Sequence, residues 1–435
     1  MSRSGRPTAR SVALEVVRRV TGSDAYSNLT IASELERARL SPRDAALATE
    51  LAYGTIRRLL RLDHALGSLV DRPLDGTPAD ALAALRLGAY QLLFTRVPAH
   101  AAVAETVRLV PARRRGFVNA VLRRLATEGA RWPDGVDDHA VSLRTGLTEW
   151  AVAELRRLVR EEVEPAASAL TEPAPLTVRT NTCRTTVEDL MARLEDVGVT
   201  AHRGSIHAGS LLIDGGRPSE LPGFQEGWFA VQDQASSFVV DALEPTAGHR
   251  VLDVCAGPGG KAGHLSCLVR PGGGLVASDA SHRRAALVMR TVERLGGRAL
   301  VLVQDGRRPA VAGGFDRVLV DAPCSGLGSA RRRPELLWRA RKAELSGLAR
   351  LQVGITTAAA DLLAVGGRLV YSVCTYPRAE TDAVCDALLR RRPDLTPAPI
   401  QGPDGPAERI RLWPHRHGCD AMFVAAFRRG LPSHR

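Results

Sequence analysis

The chain has 435 residues, 45% of them apolar and 24% charged, proportions of a soluble globular protein large enough for two or three domains. No stretch of about 18 uninterrupted apolar residues occurs, so no membrane-spanning helix is expected. The opening MSRSGRPTARSVALEVV reads as a short flexible lead and not as a signal peptide. The formal charge of +12 favours a polyanionic partner, and nothing calls for a membrane or an obligate protein partner.

Of the 59 Lys and Arg, only Lys261 and Lys342 are lysines. Lys261, inside a Gly-rich stretch, therefore stands out as a residue whose chemistry Arg does not replace. The seven cysteines (Cys183, Cys255, Cys267, Cys324, Cys374, Cys385 and Cys419) are odd in number, show no CxxC spacing and follow no secretion signal. The expectation is free thiols in a reducing cytoplasm, with neither disulfides nor a metal site.

From Ala9 to Leu125, apolar residues recur at three- and four-residue steps in ARSVALEVVRRV, DAALATELAYGTIRRLLRLDHAL, ADALAALRLGAYQLLF and RRGFVNAVLRRLA. Pro and Gly punctuate the turns between them. This predicts an all-α domain over residues 1–135. RWPDGVDDHAV reads as a linker. LTEWAVAELRRLV is a further helix, and PLTVRTNTCRTTVEDLMARLEDVGV reads as strand, turn and helix, with Thr185 or Thr186 as its cap. With SLLIDGG and WFAVQD as short strands, residues 145–240 form a small α+β module.

From His249 the rhythm changes. The strands HRVLDV, GLVASD, ALVLVQD, FDRVLVD and GRLVYSVC alternate with the helices GGKAGHLSCLV, SHRRAALVMRTVERLG and ELSGLARLQVGITTAAADLLA. Residues 241–432 are thus expected to be α/β: a Rossmann-like, mostly parallel sheet with helices on both faces. RIRLWPHRHGCDAMFVAAFRR suggests a closing antiparallel hairpin, and RRRPDLTPAPIQGPDGPAE a mobile Pro-rich loop.

The five strands end at Asp253, Asp279, Asp305, Asp321 and Cys374. An Asp after a strand is common in loops, but ligands bind at the carboxyl ends of parallel strands, and five such endings converge on one crevice. CAGPGGKAGHL follows the first strand. A triphosphate loop would need Gly and then Ser or Thr where Cys255 and Ala262 stand, and the dinucleotide fingerprint is absent too. Its glycines still admit close approach of a ligand to backbone. Asp279, about 20 residues on, sits where a carboxylate can accept both hydroxyls of a ribose. A Gly loop with a ribose acid but no pyrophosphate cradle suits a nucleoside carrying a non-phosphate group, and S-adenosylmethionine (SAM) is such a ligand.

DAPCSGLG and YSVCTYP add two thiols at the same edge, Cys324 and Cys374. Methylation at C5 of cytosine needs such a group, because a thiolate adding at C6 makes C5 nucleophilic. An acid must neutralise N3 during the attack, and Asp321, three residues from Cys324, is the candidate. The spacing does not choose between the two thiols.

VLDVCAGPGGKAGHL, SDASHRR, QDGR, DAPCSGLGSARRRPE and YSVCTYPRAE, with PLTVRTNTCRTTVEDL and VQDQASS, resemble the motifs of the NOL1/NOP2/Sun family of RNA cytosine-C5 methyltransferases over roughly residues 145–430. LSPRDAALATELAYGTIRR, LRLGAYQLLF and FVNAVLRRL resemble the NusB-type RNA-binding domain. This layout is that of the family's bacterial 16S rRNA enzymes. The resemblance implies SAM held by Cys255, Ala256, Gly257, Pro258, Gly259, Gly260, Lys261, Asp279, Asp305 and Asp321. It also implies attack by Cys374 and product release assisted by Cys324. The sequence departs from the family at Gly257 and Ala262, where the loop is commonly CAAPGGKT, and at AETD, residues 379–382, where EEN is common. Arg331, Arg332 and Arg333, and Arg113, Arg114 and Arg115, are candidate RNA-backbone contacts. A tRNA cytosine-C5 methyltransferase would share every catalytic residue. A non-catalytic NusB-type antitermination factor would need neither thiols nor acids, and SAM binding separates it from the enzymes.

Overall fold

The computed structural model describes residues 6–431; the first five residues of the N-terminal lead lie outside the described residues. The chain forms two compact units. The first comprises residues 1–172 together with the short segment Ala330–Arg341, and the second comprises residues 173–329 and 342–435.

The helical unit starts where the lead ends. Thr8 and Ser11 form a reciprocal capping box for helix Ala9–Gly22. Val12, Ala13, Val16, Val17 and Val20 bury one stripe of that helix. The predicted second helix is two, Pro42–Arg57 and Leu59–Gly67, broken at Arg58. Helices Ser27–Ala38 and Ala99–Arg108 were not foreseen. The expected linker is extended only to its middle, since Asp137 caps helix Asp138–Thr145. Helices Glu149–Val159 and Val163–Thr171 complete the unit.

Segment 330–341 is rooted in this helical core. Glu335, fully buried, accepts from the Ser27 hydroxyl at 2.6 Å. The Trp338 indole donates to the Ile56 carbonyl at 3.1 Å, and Arg57 donates to the Arg331 carbonyl at 2.9 Å. Arg339 donates to the carbonyls of Val20, Ser23 and Ala25. Arg331 is therefore buried and not a solvent-facing RNA contact. Arg113 and Arg115 do face solvent, in the first turn of helix Ala112–Glu128.

The second unit opens with a four-stranded antiparallel sheet in the order β2-β3-β1-β4: β1 (Leu176–Thr180), β2 (Ala201–Arg203), β3 (Ser210–Ile213) and β4 (Phe229–Val231). Helix Val187–Glu195 packs on it, capped by the Thr186 side chain. Then comes the large sheet: β5 (Arg250–Asp253), β6 (Gly274–Asp279), β7 (Leu300–Val303), β8 (Phe315–Asp321) and β9 (Leu363–Val373) are mutually parallel. β10 (Leu395–Ala398), β11 (Ile400–Gly402), β12 (Gly405–Ala407), β13 (Arg409–Leu412) and β14 (Met422–Arg429) follow. β13 and β14 form the foreseen antiparallel hairpin, and β14 pairs antiparallel with β9.

The expected mobile Pro-rich loop is instead structured. β10 pairs with β14, placing Pro397 opposite Phe427, and β11 pairs with β12. β10 is an edge strand, where a residue without an N–H costs no ladder bond on the open side.

Strand alternation builds both cores. Val251, Leu319, Val370 and Val424 enter one cluster with helices Gln234–Leu243, Gly260–Leu268 and His282–Arg294. Leu252, Val318, Val320, Leu369, Tyr371 and Phe423 enter the opposite cluster with helices Leu345–Asp361 and Asp382–Arg391. The sheet order β10-β14-β9-β8-β5-β6-β7 reverses direction between β5 and β8. That reversal places the ligand crevice at the carboxyl ends of these two strands.

One expectation about thiols fails. Cys183, just after β1, and Cys267, in helix Gly260–Leu268, form a disulfide with Cα atoms 6.1 Å apart. Spacing along the chain could not show this contact, because folding brings together residues 84 apart.

Candidate active site

The crevice is built by neighbouring strand ends. Asp253 ends β5, Asp321 ends β8, Asp279 ends β6, and Cys374 follows β9. The Gly-rich loop folds back over β6: Ala256 donates to the Ser278 carbonyl at 2.8 Å and Gly257 to Asp279 Oδ2 at 3.1 Å. Gly259 has φ +107°, and a Cβ there would come within 2.9 Å of Val288 and Thr291, so this turn requires glycine. Gly257 also has a local reason. A Cβ there would sit 2.6 Å from Asp279 Oδ2 and from Arg284 Nε. Arg284 lies 3.1 Å from that carboxylate and donates to the Gly257 carbonyl at 2.6 Å. Asp279 is thus a loop organiser with acceptor capacity remaining, since two of its donors share one oxygen and Ser281 N takes the other.

Lys261, largely buried, reaches Asp321 Oδ2 at 2.6 Å, and Ser372 donates to Asp321 Oδ1 at 2.8 Å. Burial alone would lower the Lys261 pKa, but Asp321, Cys374 and Asp253 together raise it, so the ammonium stays charged. Asp253 is fully buried, and neither of its oxygens has a hydrogen-bond partner. Burial, then Asp321, push its pKa up to about 7. Cys255 is likewise pushed up by burial and then by Asp253, Asp321 and Asp279, which leaves it a neutral thiol.

Cys324 and Cys374 face each other with sulfurs 3.5 Å apart. Ser329 donates to Cys374 Sγ at 3.6 Å, and Gly328 N donates to the Cys374 carbonyl at 3.0 Å. The Cys324 pKa is raised well above an ordinary thiol's, first by the bond to Cys374, then by burial and the charges of Cys374 and Glu380. Asp305 stands apart from this cluster. It lies two residues beyond β7, pairs with Arg307 at 2.6 Å, and is held down to about 2 by that guanidinium.

Sequence reasoning missed Ser325, Gln352, Thr375 and Glu380, which form a buried network behind the thiols. The available signal was nearness in sequence, since Ser325 and Thr375 adjoin the thiols and Glu380 lies six residues after Cys374.

Profiles of three families match the chain in order: "NusB family" over residues 7–127, "Methyltr_RsmF/B-like, ferredoxin-like domain" over 147–220, and "16S rRNA methyltransferase RsmB/F" over 240–428. A protein of Mycobacterium tuberculosis named as a methyltransferase is 39% identical over 97% of this chain and 96% of its own. Ribosomal RNA small subunit methyltransferase B of Citrobacter koseri is 33% identical over 96% of this chain and 97% of its own. The crystal structure of a methyltransferase homolog from Pyrococcus horikoshii is 26% identical with a TM-score of 0.58, covering 68% of this chain and all of that one. With the Gly loop, the strand-end acids and the paired thiols in place, the chain belongs to the RsmB/F family of SAM-dependent RNA methyltransferases.

Proposed function

We propose that this enzyme methylates C5 of a cytosine in 16S rRNA through a covalent bond between Cys374 and C6. The observation that carries the reading is the pair of sulfurs 3.5 Å apart beside the Lys261–Asp321 ion pair. The substrate assignment rests on the relatives' names and on the helical unit, whose Arg113 and Arg115 offer solvent-facing charge to a phosphate backbone. The proposed domains are a NusB-like domain (1–135), an α+β module (145–240) and a catalytic domain (241–432).

SAM, when bound, supplies an electrophilic methyl group. The residues fit such a ligand. Asp279 and Asp321 are each paired with a cation, but the buried Asp253, raised to about 7, is a carboxyl that a cationic nucleoside nearby would favour in its ionised form. Residues 255–261 leave backbone close to the ligand, and Asp279 takes the ribose. Asp305, engaged with Arg307, is the member of the set with the weakest geometric support.

Lys261 and the Ser329 hydroxyl favour a thiolate at Cys374, whereas Glu380 disfavours one at Cys324. Cys374 therefore attacks C6. The C5–C6 pair shifts toward the ring nitrogen, and the Asp321–Lys261 pair supplies the proton that N3 takes up and later recovers it. C5 then takes the methyl group. For release, the C5–H bond breaks and its electrons form C5=C6. The C6–S bond breaks with its pair on Cys374. Cys324 gives its proton to that sulfur and receives the C5 proton in exchange.

Cys324→Ala should therefore accumulate an enzyme–RNA adduct stable to denaturing electrophoresis, only with SAM and 16S rRNA present. Cys374→Ala and the double variant should form none. An adduct from Cys374→Ala alone would reverse the two roles, and no adduct from any variant would remove the covalent route. Running tRNA beside 16S rRNA tests the substrate.

A further inference from the structure

We propose that Glu380 is the positioning residue of the two-thiol site: its buried carboxylate fixes the Cys324 loop against the strand end that carries Cys374 and determines which thiol attacks. The proposal rests on the covalent reading above.

Glu380 is fully buried in the turn Arg378–Glu380. Its Oε1 accepts from Ser325 N at 2.9 Å and from Gln352 Nε2 at 3.0 Å, and its Oε2 accepts from Ser325 Oγ at 2.6 Å. The second Gln352 N–H goes to the Pro323 carbonyl at 2.9 Å. Both residues flanking Cys324 are therefore tied to one carboxylate. Thr375, next to Cys374, completes the clamp through its hydroxyl, 2.7 Å from Ser325 Oγ. Tyr371, near the end of β9, donates its hydroxyl to the Glu380 carbonyl at 2.6 Å. Three donors converge on the acid, two loops hang from it, and the strand beneath holds its backbone.

The charge exceeds what clamping needs. A glutamine could accept from Ser325 N and donate to Ser325 Oγ, and it would not carry the desolvation cost of a buried anion. The anion's further effect falls on the neighbouring thiol. Cys324 faces Cys374 from the β9 end, Glu380 from the turn, Tyr371 from β9 and the Gly326 N–H of its own loop. Among these, Glu380 is the carboxylate that opposes a thiolate at Cys324, while Lys261 attracts the charge of Cys374.

Two substitutions separate geometry from charge. Glu380→Gln keeps the size and removes the charge; Ser325→Ala keeps the charge and removes two clamp contacts. Alkylation of Cys324 by iodoacetamide, followed by peptide mass spectrometry across pH 7–10 in full-length Cys374→Ala protein, reads the first effect. Adding Glu380→Gln should move the rate profile to lower pH by about one unit, roughly a tenfold faster rate at pH 8. A looser loop would hydrate the thiol and lower the midpoint too, so Ser325→Ala in the same Cys374→Ala protein is the control, and a shift no larger with Glu380→Gln than with Ser325→Ala would also overturn the charge role. In the enzyme with both thiols, Ser325→Ala should lower kcat several-fold with KM for SAM unchanged. An unmoved alkylation profile would overturn the charge role, and an unchanged kcat in Ser325→Ala would overturn the clamp. Alkylation needs no methyl transfer, so it decides the role of Glu380 even if the adduct assay removes the covalent route.

Discussion

Asp253 offers a quantitative test of the crevice. Its carboxylate ends β5 wholly out of solvent, with no donor to either oxygen. Burial and Asp321 raise its pKa to about 7, against the pull of Lys261; in the unfolded chain it would ionise near ~3.9. Between those values the folded protein holds a proton that the unfolded chain has released. Stability must then fall as pH rises through that window, with no loss below about pH 4 and the full loss above about pH 7. A separation of about three units corresponds to about 4 kcal/mol. Asp253→Asn stays neutral throughout. Urea denaturation of both proteins at one-unit steps from pH 4 to pH 8 isolates Asp253 with the neighbours it couples to, because titrations elsewhere cancel in the difference. The variant should gain about 4 kcal/mol on the parent across the range, and saturating SAM should reduce the gain by favouring the ionised carboxylate. A difference that stays flat would refute the assignment of a protonated Asp253.

Three further predictions follow from other contacts. Asp279→Ala should weaken SAM binding roughly ten- to hundredfold, about 1.5–3 kcal/mol for the charged hydrogen bonds, as read by calorimetry on folded protein. Leu337→Ala, in the buried segment 330–341, should destabilise the helical unit by about 2–5 kcal/mol while leaving SAM affinity alone, as read by urea denaturation and calorimetry; unchanged stability would show that the segment does not anchor in the helical core. Thiol titration of denatured, unreduced protein should find five free cysteines, rising to seven after reduction, and reduction should cost up to about 4–5 kcal/mol by the chain-entropy relation.

Much of the catalytic unit was legible because a parallel strand covered on both faces writes itself as a short apolar run. FDRVLVD and GLVASD match β8 and β6 residue for residue, and their terminal acids mark the crevice. What was not legible depends on contacts distant in sequence. RRRPELLWR looks like a solvated basic run, yet Glu335 and Trp338 root it among helices some 300 residues earlier. QASSFVVDAL is buried on most sides, since it lies between the sheet and other helices, and its short apolar run FVV does not tell helix from strand by periodicity. The Pro-rich tail hid β10 because proline is read as a breaker, although an edge strand accommodates it. The Cys183–Cys267 pair could not be found by counting, because an odd total says nothing about which two sulfurs meet.

The two catalytic thiols show the same division most sharply. Each follows a strand, each sits in a short loop, and nothing adjacent to either in sequence sets them apart. The difference comes from partners contributed by other elements: Lys261 from the helix after β5, and Glu380 from the turn after β9. With sulfurs 3.5 Å apart, both cannot ionise together, because the second charge would form beside the first. When one thiolate forms, the surrounding field decides which sulfur carries it. A cation near Cys374 and an anion near Cys324 bias it the same way, so the two effects reinforce each other. The chemistry needs that bias in its resting state, with one thiolate to attack and one thiol that still holds a proton to return to the departing sulfur.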